Sequence, residues 1–352
     1  MQKIILLASV LILSSCQFFN KNNDENQEVT DTETSEAELV WLDYETTTVI
    51  EKKFVTNREG TTLFVGADEN AREIQTIPYG KDLDVLEEYE DWYAVQSSVT
   101  EEYEEDGKEI SRTGWAKVYV KKTDVGDLED LKLIESELYA LYEDSESPIS
   151  EETVRKLFQI ELIDQKTYNE AKKRRMSHLL QDTLAVRKLN GTLSLTFEDY
   201  SVVTLIDNNP DDDESKIYEY VGQIEALQKY VVRLGHYESV EYILFDKRNG
   251  KSQEFSGFPY LSPDKKQIVV FPVIREGLMS DVTFYEVNEN QEINKSVAVP
   301  FKIWMPYLDV YEDLFWATDG YFYTPVNHTA AYWDINGMYN TQNCQYIRIK
   351  KR

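Results

Sequence analysis

The sequence contains very few of the residues that build metal centres and disulfide frameworks. Its 352 residues include two cysteines, Cys16 and Cys344, and three histidines, His178, His236 and His328. None of the five belongs to a Cys-x-x-Cys or His-x-x-x-His pair, the spacings typical of transition-metal sites. We therefore expect no metal, no cofactor and no disulfide scaffold, and we predict that the histidines lie at the surface or in turns.

The common catalytic loops are also missing. The chain has no glycine-rich phosphate loop and no Gly-x-Ser-x-Gly motif. The run 207–214 is dense in oxygen ligands but lacks the alternate spacing and the central glycine of an EF-hand loop. A solvated acidic loop is favoured there over a calcium site, and we predict that the protein is not an enzyme.

Positive charge is scarce. The chain has 37 Lys and Arg residues against 65 Asp and Glu residues, which gives a net charge of −28 at pH 7. A chain this acidic repels phosphate backbones, so nucleic-acid binding is not expected. The acidity is explained either by solubility or by recognition of a basic partner.

The first residues of the chain have the pattern of a secretory signal. Lys3 precedes Ile4–Leu13, an apolar run that is too short to span a bilayer as a helix. The next residues, Leu13-Ser14-Ser15-Cys16, resemble the bacterial lipobox. The resemblance implies a signal peptide over 1–15 and a diacylglyceryl group on Cys16. That lipid would hold the protein on a membrane of the bacterial envelope, with the outer membrane or the cell surface favoured. The alternatives are a plain signal peptide and a buried N-terminal helix.

The segment after Cys16 has the composition of a tether. Residues 20–38 contain seven carboxylates, one lysine and almost no apolar side chain. Such a segment buries too little surface to offset its ordering entropy. We predict a disordered acidic tether over residues 16–45.

The following segment, residues 46–124, has the pattern of a small all-β domain. Short apolar strands separated by turn residues predict a barrel or sandwich. The predicted strands are Thr62–Val65, Glu73–Ile77, Leu83–Leu86, Asp91–Val95 and Thr113–Val120. The Trp-Tyr-x-Val strand and the closing Gly-Trp-Ala-x-x-Tyr-Val segment resemble a bacterial Src-homology-3-like domain. The first strand and the charged excursion Glu101–Glu109 depart from that family's pattern.

The resemblance implies a binding module for peptides or cell-wall material. The candidate ligand-binding residues are aromatic: Tyr79, Tyr89, Tyr93, Trp92 and Trp115, with Tyr103 as a further exposed tyrosine. The alternative is that both tryptophans are core residues that close the barrel.

Residues 125–181 are predicted to form a helical connector. Leu131, Ile134, Leu138 and Leu141 recur at helical spacing. Ser150 and Asp164 are predicted N-caps of two further helices. Residues 154–173 are similar to a short C-terminal oligomerisation hairpin, although a plain helical spacer is the favoured interpretation.

Residues 182–352 are predicted to be rich in strands. The runs 230–234 and 241–245 should pair as a hairpin, and the Ser262-Pro263-Asp264 turn precedes another apolar strand. These features, with an echo at 314–323, resemble blades of a β-propeller. The segment is short for four blades, so an open antiparallel sheet is an equal alternative. The predicted fold class is mainly β, with a helical connector between a small barrel and a propeller-like or open-sheet domain.

The sequence therefore favours a membrane-anchored envelope lipoprotein that acts as a non-catalytic binding module for peptide, protein or cell-wall ligands. Three alternatives remain open: an immunity-type lipoprotein that neutralises a toxin, a carboxylate-based hydrolase, and a structural spacer.

Overall fold

Antiparallel strands make up most of the structure, a computed structural model. It describes residues 38–105, 108–142, 149–184, 186–208, 214–237, 239–274, 280–307 and 313–352. The mainly β class is therefore confirmed, and Ala37–Arg352 form one compact unit. Cys16 and the predicted signal peptide lie outside the described residues.

The N-terminal sheet contains eight strands. They are β1 Val40–Trp41, β2 Glu51–Val55, β3 Thr61–Phe64, β4 Glu73–Ile77, β5 Asp82–Glu88, β6 Trp92–Glu105, β7 Lys108–Lys121 and β8 Val125–Gly126. The strand order is β4-β3-β7-β6-β5-β2-β8, with β1 also beside β7. In the described part of the chain no pairing joins β4 to β8, so backbone pairing does not close this sheet into a barrel.

In this region the hairpin strands and the start of the folded chain both extend beyond the strands predicted from the sequence. The charged excursion Glu101–Glu109 is the far end of a long hairpin, because β6 and β7 pair without a break as far as Glu105 opposite Lys108. The ordered chain also begins earlier than the predicted end of the tether, since Trp41 pairs with Ala116. Trp41 packs against the core of the sheet, which explains why the chain is ordered there.

The predicted connector, residues 125–181, contains two short α-helices and four short strands. The helices are α1 Glu151–Leu157 and α2 Gln165–Lys172, and the strand β9 Phe158–Ile163 lies between them. Both predicted N-caps are confirmed: Ser150 Oγ accepts a hydrogen bond from Thr153 N at 3.2 Å, and Asp164 Oδ1 accepts one from Thr167 N at 2.6 Å. Leu162 and Ile163, which precede the second cap, end β9.

The helix predicted over residues 131–142 does not form, and only a short 3₁₀ segment is present. Side chains from elsewhere in the chain bind the backbone here. Tyr79 Oη accepts a hydrogen bond from Lys132 N at 2.9 Å, and Gln345 Oε1 accepts one from Leu133 N at 2.6 Å. These tertiary contacts stabilise an extended path, although the apolar spacing favours a helix. The described 3₁₀ segments are Lys122–Asp124, Leu128–Asp130, Glu135–Tyr139, Glu225–Leu227 and Thr329–Ala331.

The remaining strands form four further sheets. The hairpin sheet contains β12 Thr192–Thr196 and β13 Val202–Ile206. The first C-terminal sheet contains β11 Leu179–Leu180, β14 Ile217–Ile224, β15 Lys229–Gly235, β16 Ser239–Asp246, β17 Ser252–Phe255 and β20 Val273–Ile274. The second contains β18 Tyr260–Leu261, β19 Gln267–Val270, β21 Ser280–Val287 and β22 Ile293–Phe301. The third contains β9, β10 Arg175–Met176, β23 Trp304–Pro306, β24 Phe315–Ala317, β25 Phe322–His328 and β26 Gln345–Lys351.

These sheets stack face to face. The hairpin sheet packs on one face of the first C-terminal sheet, with Leu195 against Val232. The other face of the first sheet packs on the second, with Val231 beside Ile268. Strands buried on both faces read as continuous apolar runs, which explains why 230–234 and 241–245 show no polar alternation.

The second sheet packs in turn on the third. Val269 and Phe284 face Phe322 in the largest core cluster. The outer face of the third sheet is covered by α2, whose Tyr168 packs against Phe315. The stack therefore begins with the hairpin sheet and ends with a helix.

The N-terminal sheet is attached to the C-terminal sheets through the start of the connector. Phe54 and Leu128 pack against Ala331. Asn343 Nδ2 donates to the carbonyl oxygens of Leu128 and Leu131 at 2.8 and 2.9 Å. A buried amide that satisfies two backbone carbonyls fixes this junction as part of the fold.

Candidate functional site

The outer face of the N-terminal sheet carries most of the candidate residues. Along β7, Ala116 and Val118 point into the core, so Trp115, Lys117 and Tyr119 point outward. The pairing of β6 with β7 has no register break, which places Trp92 on this same face. At about 3.3 Å per residue, Trp115 and Tyr119 lie about 13 Å apart along the strand.

Aromatic rings lie at both ends of this outer face. At one end Tyr44 packs on Trp115 with ring centroids 4.5 Å apart, and the two residues are 50% and 38% exposed. At the other end Tyr89 lies 5.8 Å from Tyr119. The neighbouring Trp92 is buried edge-on against Phe64. We call the set Tyr44, Tyr89, Trp115 and Tyr119 the aromatic face.

Two lysines on this face are paired with carboxylates. Lys117 Nζ lies 2.6 Å from a carboxylate oxygen of Glu87, and Lys121 Nζ lies 2.7 Å from one of Glu69. The hydrogen bond from Lys117 holds the pKa of Glu87 below its usual range. The same Glu87 accepts a hydrogen bond from the Tyr89 hydroxyl, which raises the pKa of Tyr89. The surface therefore offers ring faces beside ion-paired lysines.

An incompletely satisfied amide lies in the middle of this face. Gln96 stands opposite Lys117 on β7 and opposite Asp84 on β5. Its Nε2 donates to Asp84 Oδ2 at 3.1 Å. Its Oε1 is buried and has no hydrogen-bond partner among the described residues. Such an acceptor is uncommon in folded proteins.

The other predicted ligand-binding residues lie elsewhere. Tyr93 points to the opposite side of the sheet, where Lys122 Nζ lies 5.0 Å from its ring centroid. Tyr103 is exposed near the tip of the long hairpin. Tyr79 is half-buried at the junction, beneath Arg58 and edge-on to His328 at 5.2 Å. Of the predicted set, the outer face brings together Tyr89, Trp92 and Trp115.

Sequence reasoning missed Tyr44, Tyr119 and Gln96. The position of Tyr119 could have been predicted. It lies an even number of residues after Trp115 on the closing strand, and side chains at even spacing point to the same face of a sheet. No sequence pattern indicates a role for Tyr44, since it lies in the segment that the composition assigns to the tether.

The histidines have no metal partners. In the described part of the chain, no group of three or more His, Cys, Asp or Glu side chains is arranged to hold a metal ion. His178 Nε2 lies 3.1 Å from the carbonyl oxygen of Ser262, and His236 is half-buried beside Glu241. His328, contrary to the surface or turn position predicted for it, is buried in β25, and that burial lowers its pKa to about 4. Burial also raises the pKa of the Cys344 thiol.

A small cavity lies where the three C-terminal sheets approach one another. It has a volume of about 220 Å³, and its lining includes Met176, Leu179, Phe258 and Trp316. The Trp316 indole N–H donates to the backbone oxygen of Tyr260 at 2.9 Å. Its lining mixes these apolar side chains with polar ones, among them Arg175, His178 and Gln181.

Comparison of the chain with protein-family models, curated proteins and solved structures gives no match. Among the described residues, no helix has both the length and the apolar character needed to span a bilayer.

Proposed function

We propose that this protein is a membrane-anchored envelope lipoprotein and that its aromatic face binds an extended peptide. The peptide would be part of a protein or of the cell wall. The observation that carries the proposal is the exposed Tyr44–Trp115 pair, with Tyr89 and Tyr119 on the same face of the sheet. Exposed aromatic rings contribute large contact area at low entropic cost, and for that reason tyrosine and tryptophan are enriched at binding hot spots.

The spacing of the rings favours an extended ligand. Two ring clusters about 13 Å apart match about four residues of an extended chain. The ion-paired lysines on this face do not select a strongly charged ligand. An extended peptide supplies apolar side chains at that spacing.

The anchor is supported by the residues before the folded part. The apolar run Ile4–Leu13 and the following Leu-Ser-Ser-Cys sequence have the order that a lipoprotein signal requires. Acyl chains on Cys16 would add about 0.8 kcal/mol for each buried methylene.

We also propose finer assignments for the two β regions. The N-terminal sheet is proposed to be a variant of the Src-homology-3-like fold, because Trp92 and Trp115 lie on adjacent strands as the resemblance implies. The C-terminal stack is proposed to be propeller-like. In its support, the third sheet joins the early strand β9 to the last strand β26, as in the closing blade of a propeller.

The ligand proposal is tested with the lipid-free chain, residues 17–352. Co-sedimentation with purified cell-wall sacculi measures binding to the cell wall. An array of extended peptides measures binding to protein segments. We expect Trp115→Ala and Tyr89→Ala to weaken binding by at least about tenfold, a hot-spot effect. Trp333→Ala removes an exposed tryptophan outside the face and is the matched control. Equal losses in all three variants, or no binding to either ligand, would overturn the proposal.

The anchor is tested separately in cells. Cys16→Ser should abolish incorporation of a labelled fatty acid and release the protein from the membrane fraction. Cys344→Ser is the matched control, because it removes the only other thiol of the chain. If both variants remain lipidated and membrane-bound, the anchor is not on Cys16.

A further inference from the structure

A cavity lies at the junction between the N-terminal sheet and the third C-terminal sheet. Its volume of about 610 Å³ is within the range of about 300–1,000 Å³ that is typical of small-molecule sites. Turns of the N-terminal sheet contribute Arg58 and Tyr79, and the C-terminal part contributes Lys302 and His328. We call this space the junction cavity. None of its lining residues belongs to the aromatic face, so it is separate from the surface proposed to bind a peptide.

Close packing between the two regions builds the wall of the junction cavity. Gly80 has a φ of +80°, and a Cβ atom added there would lie 2.5 Å from the Cβ atom of Ala330. Only glycine allows the two loops to approach so closely. The ring of Tyr79 is packed between Arg58, whose Cζ lies 4.1 Å from the ring centroid, and His328 at 5.2 Å. The lining side chains are therefore positioned by tertiary contacts.

His328 supplies a hydrogen-bond donor to the junction cavity. The residue is only 6% exposed. Its Nδ1 accepts a hydrogen bond from Ala330 N at 3.1 Å, so the hydrogen of the neutral ring is on Nε2. That Nε2 has no hydrogen-bond partner in the part of the chain that the structure describes, and it is not fully enclosed by protein atoms. Since His328 lines the cavity, this N–H is available to a bound group.

The ion pairs around the junction cavity leave one lysine without a carboxylate partner. Arg58 is paired with Glu137 at 2.5 Å, and Lys81 is paired with Asp82 at 3.0 Å. Lys302 also lines the cavity, is exposed, and forms no ion pair with any residue that the structure describes. The cavity therefore presents one cation whose charge is not already neutralised by a direct contact.

We propose that the junction cavity binds a small monocarboxylate, whose oxygen atoms accept a hydrogen bond from His328 Nε2 and form an ion pair with Lys302. One neutral donor and one unpaired cation match a single negative charge. Glu59 and Glu137 also line the cavity and would repel a dianion such as phosphate. The ring of Tyr79 gives the apolar body of the ligand a surface to pack on.

The first experiment is an NMR titration of the lipid-free chain, residues 17–352, with N-acetylalanine at neutral pH. The chain has only three histidines, so the imidazole C–H signals of His328 can be assigned from the spectrum of the His328→Asn variant. We expect these signals to shift and to saturate at millimolar ligand. N-acetylalanine amide has the same body without the charge. It should bind at least about tenfold more weakly, because hydrogen bonds to a charged group are the stronger ones.

Two variants test the assigned contacts by isothermal titration calorimetry with N-acetylalanine. Lys302→Gln should raise the dissociation constant about fivefold, as for the loss of an exposed ion pair. His328→Asn should raise it at least about tenfold, because the donor to the carboxylate is lost. Asparagine can still accept the hydrogen bond from Ala330 N, which preserves the local turn. Lys295→Gln is the matched control, since it removes the same charge from an exposed position outside the lining, and it should leave the dissociation constant unchanged.

Three outcomes would each overturn the proposal. The first is that N-acetylalanine leaves the His328 signals unchanged. The second is that the uncharged amide binds as well as the carboxylate, or that inorganic phosphate binds more tightly, because a single negative charge is then not what the cavity recognises. The third is that Lys302→Gln and Lys295→Gln weaken binding equally, which would mean that only the net charge of the chain matters.

Discussion

The two β regions use the same residue types in opposite ways. In the C-terminal stack, Trp304 and Trp316 are buried between sheets, and each indole N–H donates to a backbone carbonyl oxygen. In the N-terminal sheet, Trp115 is exposed and stacks on Tyr44. The stack is covered on both faces of every inner sheet, whereas the N-terminal sheet has one core and one outer face. The aromatic residues therefore pack the core in one region and form an exposed face, the proposed binding surface, in the other.

The largest expected effect follows from the buried tryptophans. Trp304 is fully buried, lies 4.4 Å from Phe301 and donates to Leu138 O at 3.1 Å. Replacing such a side chain with alanine leaves a cavity, so Trp304→Ala should lower the free energy of unfolding by about 3–5 kcal/mol. Urea denaturation followed by circular dichroism measures the change. If Trp304→Ala lowers the free energy of unfolding no more than Trp115→Ala does, the two regions do not differ in how much their tryptophans stabilise the fold.

A buried histidine at the junction between the regions should make the protein less stable in acid. His328 is buried, and its pKa is lowered to about 4 from an ordinary value of 6.5. Above pH 6.5 the imidazole is neutral in both the folded and the unfolded chain. Below pH 6.5 the unfolded chain binds a proton that the folded chain does not, so about 3 kcal/mol of stability should be lost between pH 6.5 and 4.

The variant His328→Asn isolates this contribution. An asparagine oxygen can still accept the hydrogen bond that Ala330 N donates to His328 Nδ1 at 3.1 Å, but asparagine does not titrate. The difference in unfolding free energy between the two proteins, measured by urea denaturation at each pH, should change across this window. A constant difference would show that His328 is not responsible.

Local elements that have a strong sequence pattern could be predicted. Ser150 and Asp164 were recognised as helix caps because a short side-chain oxygen before a helix satisfies a free backbone N–H. The hairpin formed by 230–234 and 241–245 was recognised because two β-branched apolar runs flank a short polar loop.

Features that depend on distant contacts were not predictable. The segment 131–142 has helical spacing, but Asn343 and Gln345, more than two hundred positions later, bind its backbone in an extended form. The aromatic face was only half predicted for the same reason. Tyr44 reaches Trp115 solely because β1 pairs with β7.

A buried ion pair in the stack should matter more than an exposed one in the N-terminal sheet. The Asp246 side chain is buried, and its carboxylate lies 2.6 Å from both Lys229 Nζ and Arg248 Nη2. Hydrogen bonds from Arg248 and Lys229 hold the pKa of Asp246 far below its usual range. Its contribution is therefore present above the ordinary carboxyl pKa of about 4 and is lost as the pH falls below it.

Asp246→Asn should cost about 2 kcal/mol of unfolding free energy at neutral pH, because two cations lose their partner. The matched change in the N-terminal sheet is Glu87→Gln, whose partner Lys117 is reached across an exposed surface. Exposed pairs contribute about 0–1 kcal/mol. Equal costs for the two variants, measured by thermal or urea denaturation, would mean that burial does not distinguish these ion pairs.

The smallest expected effect concerns the aromatic face itself. Tyr44 and Trp115 are both partly exposed, so truncating either side chain removes little buried area. Their coupling in a double-mutant cycle, Tyr44→Ala with Trp115→Ala, should be about 0.5–1 kcal/mol, as for other aromatic pairs. Each single change should alter stability by less than about 1 kcal/mol. A loss near that of Trp304→Ala would instead mean that the pair stabilises the fold, and it would weaken the case for a binding surface.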